Sequence, residues 1–144
     1  MKKAIISAIS ASALMFSTSA LANPIFGTVT VQKGSGPVLN CNLKLTFDNP
    51  TSGQVLIELT EGDFGCETVV FNPNLEDPTY PTHDYTGPGN DFTVSNIYAD
   101  TTITPGDCAG SLTATWNGTD WSIAGVLNEV VTSTGNCSVI GTVG

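Results

Sequence analysis

Few side chains in this chain could make or break bonds. One histidine, His83, stands against thirteen carboxylates and four cysteines. A Ser-His-Asp triad would have to use His83. Its acidic neighbour Asp84 follows it directly, and adjacent residues on an extended segment point apart. No G-x-S-x-G elbow, H-E-x-x-H helix, phosphate-binding loop or dinucleotide fingerprint is present. Paired carboxylates could hydrolyse a glycoside only if held rigidly in a cleft. Here they fall mostly in turns or on polar strand faces. The cysteines lack C-x-x-C spacing and have a single imidazole for company, which does not suit zinc. Calcium is no better served, for there is neither a D-x-D-x-D-G loop nor a Gly-Asp nonapeptide repeat. The chemistry that remains is oxidation of four thiols to two disulfides. The expected protein is not an enzyme and holds no metal or cofactor.

One stretch could bind rather than react. Residues 72–91 carry four prolines and follow neither the helical nor the strand period. Tyr80, His83 and Tyr85 sit among them, and such rings combine large contact area with a polar tip. They could form a platform for a sugar or another apolar-faced ligand. The competing role is to pin a long loop to the body of the domain, which is the more ordinary use of half-buried tyrosines.

The rest of the chain must position these residues. Residues 1–22 read as a secretory signal peptide: basic Lys2-Lys3, an apolar stretch, then Ala20-Leu21-Ala22 before Asn23. No second apolar run of ~20 residues follows, so no transmembrane segment is expected. Residues 23–144 then form a single β-sandwich domain, secreted to the extracellular space or, alternatively, held in the periplasm. That part keeps two lysines against thirteen carboxylates, a formal charge near −11. Nucleic acid and anionic lipid would be repelled by it.

Apolar and polar residues alternate over short runs. Leu39, Cys41, Leu43, Leu45 and Phe47 share one face, and Val55, Ile57 and Leu59 return after a turn cluster at 48–53. Nothing reads as a long helix. The fold class is all-β: an antiparallel β-sandwich or barrel of about nine short strands with two disulfides. The sharpest local signal is SLTATWNGTDWSIA at 111–124. A two-residue turn at Asn117-Gly118 places Trp116 opposite Thr119, Ala114 opposite Trp121 and Leu112 opposite Ile123. Trp116 and Trp121 then face the core.

The cysteines mark a repeat. Each unit runs Cys, hairpin with an aromatic before its turn, Gly, Cys and a β-branched strand, first from Cys41 to Cys66 and then from Cys108 to Cys137. Each unit is expected to close on itself, as Cys41–Cys66 and Cys108–Cys137. The cross-pairing Cys41–Cys137 with Cys66–Cys108 is the alternative. In a flat meander the bridged strands would lie roughly 9.6 Å apart, whereas a disulfide needs about 4.4–6.8 Å between Cα atoms. The third strand of each unit is therefore expected to leave the hairpin's sheet for the facing one.

The ordered set of residues resembles the small secreted bacterial proteins called protein activators of alkane oxidation, the PraB family. It comprises Val38-Leu39-Asn40-Cys41, Gly65-Cys66, Cys108 with Leu112-Thr113-Ala114-Thr115-Trp116-Asn117, and Gly135-Asn136-Cys137-Ser138-Val139 with Gly141. The chain departs from the family after Cys66, where Asn74-Leu75-Glu76-Asp77-Pro78 stands in place of a Leu-Pro-Trp-like element and leads into a longer acidic insertion. The resemblance implies an exported, non-catalytic accessory factor that works at the cell surface or the oil–water interface. Two other functions are weighed against it: a structural subunit of an extracellular fibre or biofilm matrix, whose terminal strands add to a neighbour's sheet, and a carbohydrate-binding surface protein using residues 72–91. The partners these readings call for are the cell surface, a hydrocarbon interface or further copies of the chain.

Overall fold

A computed structural model describes residues 24–71, 80–101 and 106–144. The alternating runs become nine strands: β1 (Ile25–Lys33), β2 (Val38–Phe47), β3 (Ser52–Gly62), β4 (Val69–Phe71), β5 (Thr82–Asp84), β6 (Phe92–Thr101), β7 (Cys108–Trp116), β8 (Trp121–Glu129) and β9 (Cys137–Val143). A 3-10 turn, Cys66–Thr68, is the one helical element among the described residues.

The strands form a closed barrel, not a sandwich. β6 pairs with β7 as well as with β5, so eight antiparallel strands run β1–β2–β3–β5–β6–β7–β8–β9 and back to β1. β4 is the extra strand, and it lies beside β5 on the same edge of β6. Val69–Phe71 run against Thr101–Ala99, and Thr82–Asp84 continue in the same direction against Ser95–Thr93. β4 and β5 are thus the two halves of one barrel stave. β6 answers with a bulge at the same level: its register shifts between Val94 and Ile97, and Asn96 takes φ 58°.

Inward-facing residues fill the barrel. Val29, Leu43, Leu45, Val55, Ile97, Ile123, Leu127 and Val143 are all buried. The ends differ in kind. Phe47, Phe92, Trp116 and Trp121 close one rim, and both cystines lie at the other.

The disulfides are Cys41–Cys66 and Cys108–Cys137, each within its own half, with Cα atoms 5.6 and 6.1 Å apart. The expected route to this pairing needs correction. In the first unit β4 does leave β3, pairing with β6 instead. In the second, β9 stays hydrogen-bonded to β8. Its cystine can still close because it sits at the rim, where Cys108 faces Glu129, the last residue of β8, and Cys137 faces Leu127. There the sheet curls, bringing two strands separated by a third well inside the flat-sheet spacing of roughly 9.6 Å.

The hairpin register also differs. Trp116 pairs with Trp121 and Ala114 with Ile123, so four residues, 117–120, make the loop. Asn117 is the reason. Its side-chain oxygen accepts from the backbone N–H of Thr119 and Asp120, both at 3.0 Å, an Asx turn that competes with the two-residue type I′ turn. The slip is an even number of residues, so the faces survive it. Val126–Glu129 continue β8 beyond the hairpin. The expected signal peptide 1–22 and residues 72–79 of the proline-rich stretch, with 74–78 where the chain departs from the family, lie outside the described residues.

Candidate functional site

Tyr80, His83 and Tyr85 do not share an exposed face. His83, read as part of the long stretch 72–91 without strand period, lies instead on β5, with its side chain wholly buried. Period 2 over only three residues was too short to recognise as a strand. The His83 ring stands edge-on to Phe47, and its Nε2 lies 2.9 Å from the Gln54 carbonyl and 3.5 Å from Asp48 Oδ1. Tyr85 is half-buried. It stacks on Phe47 at 4.5 Å and meets Phe92 edge-on at 5.4 Å. Burial raises its phenol pKa above the ordinary value. Trp121 completes the group, 5.5 Å from both Tyr85 and Phe92, and donates through Nε1 to the Asn90 carbonyl at 2.7 Å. His83 and Tyr85 therefore anchor the returning chain in the aromatic rim. Only Tyr80 lies at the surface.

The opposite rim is polar but structural. Lys33 is buried, and its ammonium donates to the Gly135 carbonyl (2.9 Å), Thr134 Oγ1 (3.2 Å) and the Cys108 sulfur (3.6 Å). Glu129 Oε2 accepts from the backbone N–H of Gly135 (2.6 Å) and Thr134 (3.0 Å). Asp63 Oδ2 accepts from the Asn40 backbone at 2.8 Å and from its side chain at 2.9 Å, beside the first cystine. These amide donors, Gly135 first for Glu129 and the Asn40 backbone first for Asp63, hold both carboxyls below their ordinary pKa. A group depressed in this way adds stability above its unfolded pKa and loses it as pH falls through the folded one. Asp100 has the opposite sign. Burial first, then Asp107, raises its pKa, so protonation relieves it. Acidification from about pH 7 to about pH 3 should therefore loosen the loop after Glu129 before the barrel itself. A fall in the amide protection factors (exchange corrected for the intrinsic rate at each pH) of Thr134 and Gly135, with those of Leu43 and Ile123 unchanged, is the expected result.

The feature that sequence reasoning missed lies outside the barrel. Outward-facing positions on β1 are Phe26, Thr28, Thr30 and Gln32; on β9 they are Ser138, Ile140 and Thr142. Those on β8 are Ser122, Ala124, Val126 and Asn128, and on β7 Ser111, Thr113 and Thr115. None is charged. The four strands are neighbours in the barrel, so these residues form one continuous wall. Thr28, Thr142, Ser122 and Thr115 pair across it as a row of hydroxyls. Ile140 stands between Thr30 and Ala124. Phe26, Ile140 and Val126 are 59, 61 and 52% exposed. Charge gathers elsewhere, as in the Lys44–Glu58 pair (3.0 Å) across β2 and β3.

Among the described residues, no group of three or more His, Cys, Asp or Glu could hold a metal ion. No helix there is long and apolar enough to cross a membrane. β1 is bonded to both β2 and β9, and β9 to both β1 and β8. Neither terminal strand offers the free edge that the fibre reading required.

A small, twice-bridged antiparallel barrel with an uncharged flank is the class of protein that fold and surface define. The chain belongs to the alkane oxidation protein activator PraA/PraB-like family, whose model matches residues 1–144. No curated protein and no solved structure matches it.

Proposed function

We propose that this chain is a secreted, non-enzymatic accessory protein that acts at the cell surface or at an oil–water interface, and that it lies on that interface by the β1–β9–β8–β7 wall. The observation that carries the reading is the absence of charge from that wall in a chain this acidic. Bringing a carboxylate against an apolar phase costs its hydration; a threonine hydroxyl costs far less, and alanine, valine and isoleucine gain by the transfer. With its charges confined to other strands and to the rims, the barrel can rest on oil and keep its carboxylates in water. The family's name supports an action connected with alkanes. Two cystines fit an oxidising compartment outside the cytoplasm.

Pendant-drop tensiometry of the chain lacking residues 1–22 against hexadecane tests the reading. The expected result is a fall in interfacial tension at about micromolar protein, with affinity set by the apolar area laid down. A tension equal to that of buffer alone would sink it.

A further inference from the structure

We propose that Cys108–Cys137 is a thiol-exchange site: of the two bridges it is the one that an external thiol opens first, by attack on the Cys137 sulfur with Cys108 leaving as a thiolate. The inference concerns the cystine rim and does not depend on the outer wall.

The two cystines sit in opposite electrostatic surroundings. The ammonium of the buried Lys33 lies 3.6 Å from the Cys108 sulfur. A cation at that distance, shielded from water, stabilises a thiolate on the sulfur it touches. The Cys66 sulfur lies instead 3.4 Å from the Asn40 carbonyl oxygen. Asn40 in turn donates to the Asp63 carboxylate through its backbone and side-chain amides, at 2.8 and 2.9 Å. Negative charge on Cys66 would meet an oxygen lone pair with a carboxylate nearby. Lys44, the other lysine among the described residues, is engaged by Glu58 at 3.0 Å.

The carboxylates near the second cystine do not cancel Lys33. Glu129 stands opposite Cys108 in the β7–β8 ladder, but its Oε2 is turned to the amides of Thr134 and Gly135. Asp107, next in the chain, accepts from the Tyr98 hydroxyl. Of these charged groups, Lys33 is the one that touches the sulfur. Access points to the same bridge. Cys137 is 6% exposed, against 2, 1 and 0% for Cys41, Cys66 and Cys108. It follows the loop after β8, where Val130 and Val131 are exposed.

The exchange balances with a thiol as reductant. One thiolate, RS⁻, attacks the Cys137 sulfur, forming a mixed disulfide there. The electron pair of the broken S–S bond leaves on Cys108, against Lys33. A second RS⁻ attacks the sulfur of R, releasing Cys137 as a thiolate and RSSR. The cystine gains two electrons and the external thiol loses them. The loop at 130–136 then loses its tether while Cys41–Cys66 stays closed.

Anaerobic equilibration of the chain lacking residues 1–22 with reduced and oxidised glutathione tests this, read by acid quench, alkylation and peptide mass spectrometry. Cys108–Cys137 should be half reduced at a [GSH]²/[GSSG] about tenfold lower than Cys41–Cys66 requires, or about 30 mV for this two-electron couple. Glutathione trapped early should sit on Cys137. Lys33→Met should remove the difference by moving the Cys108–Cys137 midpoint alone. A loss of stability shared by the oxidised and reduced proteins cancels from each midpoint, so a merely structural role would not produce that shift. If Lys33→Met fails to fold, the order of reduction in the wild type and the position of glutathione still decide. Equal midpoints, earlier reduction of Cys41–Cys66, or glutathione on Cys108 would overturn the proposal. So would a folded Lys33→Met that moves both bridges alike or neither.

Discussion

Reduction of both cystines is expected to collapse the stability of the barrel. The bridges close loops with sequence separations of 25 and 29. In the chain-entropy model each contributes roughly 3–4 kcal/mol, against ~5–15 kcal/mol for a typical domain. Their placement adds to the effect. Both lie at one rim, where the chain also turns through Glu61–Cys66 and from Glu129 to Cys137, away from the aromatic packing at the other. What else holds that rim is the Lys33 ammonium and the Glu129 and Asp63 carboxylates. Thermal unfolding followed by circular dichroism should fall by about 10 °C or more for each bridge removed, as Cys41→Ala/Cys66→Ala or Cys108→Ala/Cys137→Ala. Amide exchange should rise first at the cystine rim. A midpoint unmoved by a reducing agent would mean that packing alone holds the barrel.

Gly27→Ala should be as damaging as losing a bridge, although it adds one methyl group. Gly27 and Gly141 face inward where β1 pairs with β9, the junction that joins the two ends of the barrel sequence. A Cβ at Gly27 would sit 1.9 Å from the Thr142 carbonyl oxygen and 2.6 Å from the Val143 Cα. A Cβ at Gly141 would lie 2.3 Å from the Thr28 carbonyl oxygen. Both obstacles are backbone and cannot rotate away. The two glycines let the strands cross at a tight corner, which is the use of glycine inside a curved sheet. The expected loss for Gly27→Ala is about 3–5 kcal/mol by chemical denaturation, in the range reserved for overpacking and strain. Gly125→Ala is the comparison. Its nearest obstacle, at 2.6 Å, is the tip of the Leu112 side chain, which can move. Its cost should be about 1–2 kcal/mol.

Much of this molecule is written locally. The alternation from Leu39 to Phe47 and its return through Val55 gave β2 and β3, and the Cys-hairpin-Gly-Cys repeat gave both disulfides. The site was less legible. His83 belongs to a strand of three residues whose pairing with β3 and β6 is wholly non-local, so no local period reveals its burial. The Asn117-Gly118 pair misplaced the hairpin turn because the same asparagine also caps a longer loop. The uncharged wall was half visible. Alternation tells which residues on each strand point outward, but only the pairing of β1 with β9 brings Thr28, Ile140 and Val126 onto one face. No periodicity within one strand encodes that neighbour.

The account turns on that face. One added carboxylate should matter there and nowhere else on the barrel. Ile140→Asp, on the wall, and Thr60→Asp, outward-facing on β3, change the charge equally. In pendant-drop tensiometry against hexadecane, Ile140→Asp should need about tenfold more protein than wild type to reach the same tension, an adsorption penalty of about 1.4 kcal/mol. Thr60→Asp should match wild type. Equal behaviour of the two variants, with both still folded, would contradict the wall as the working surface.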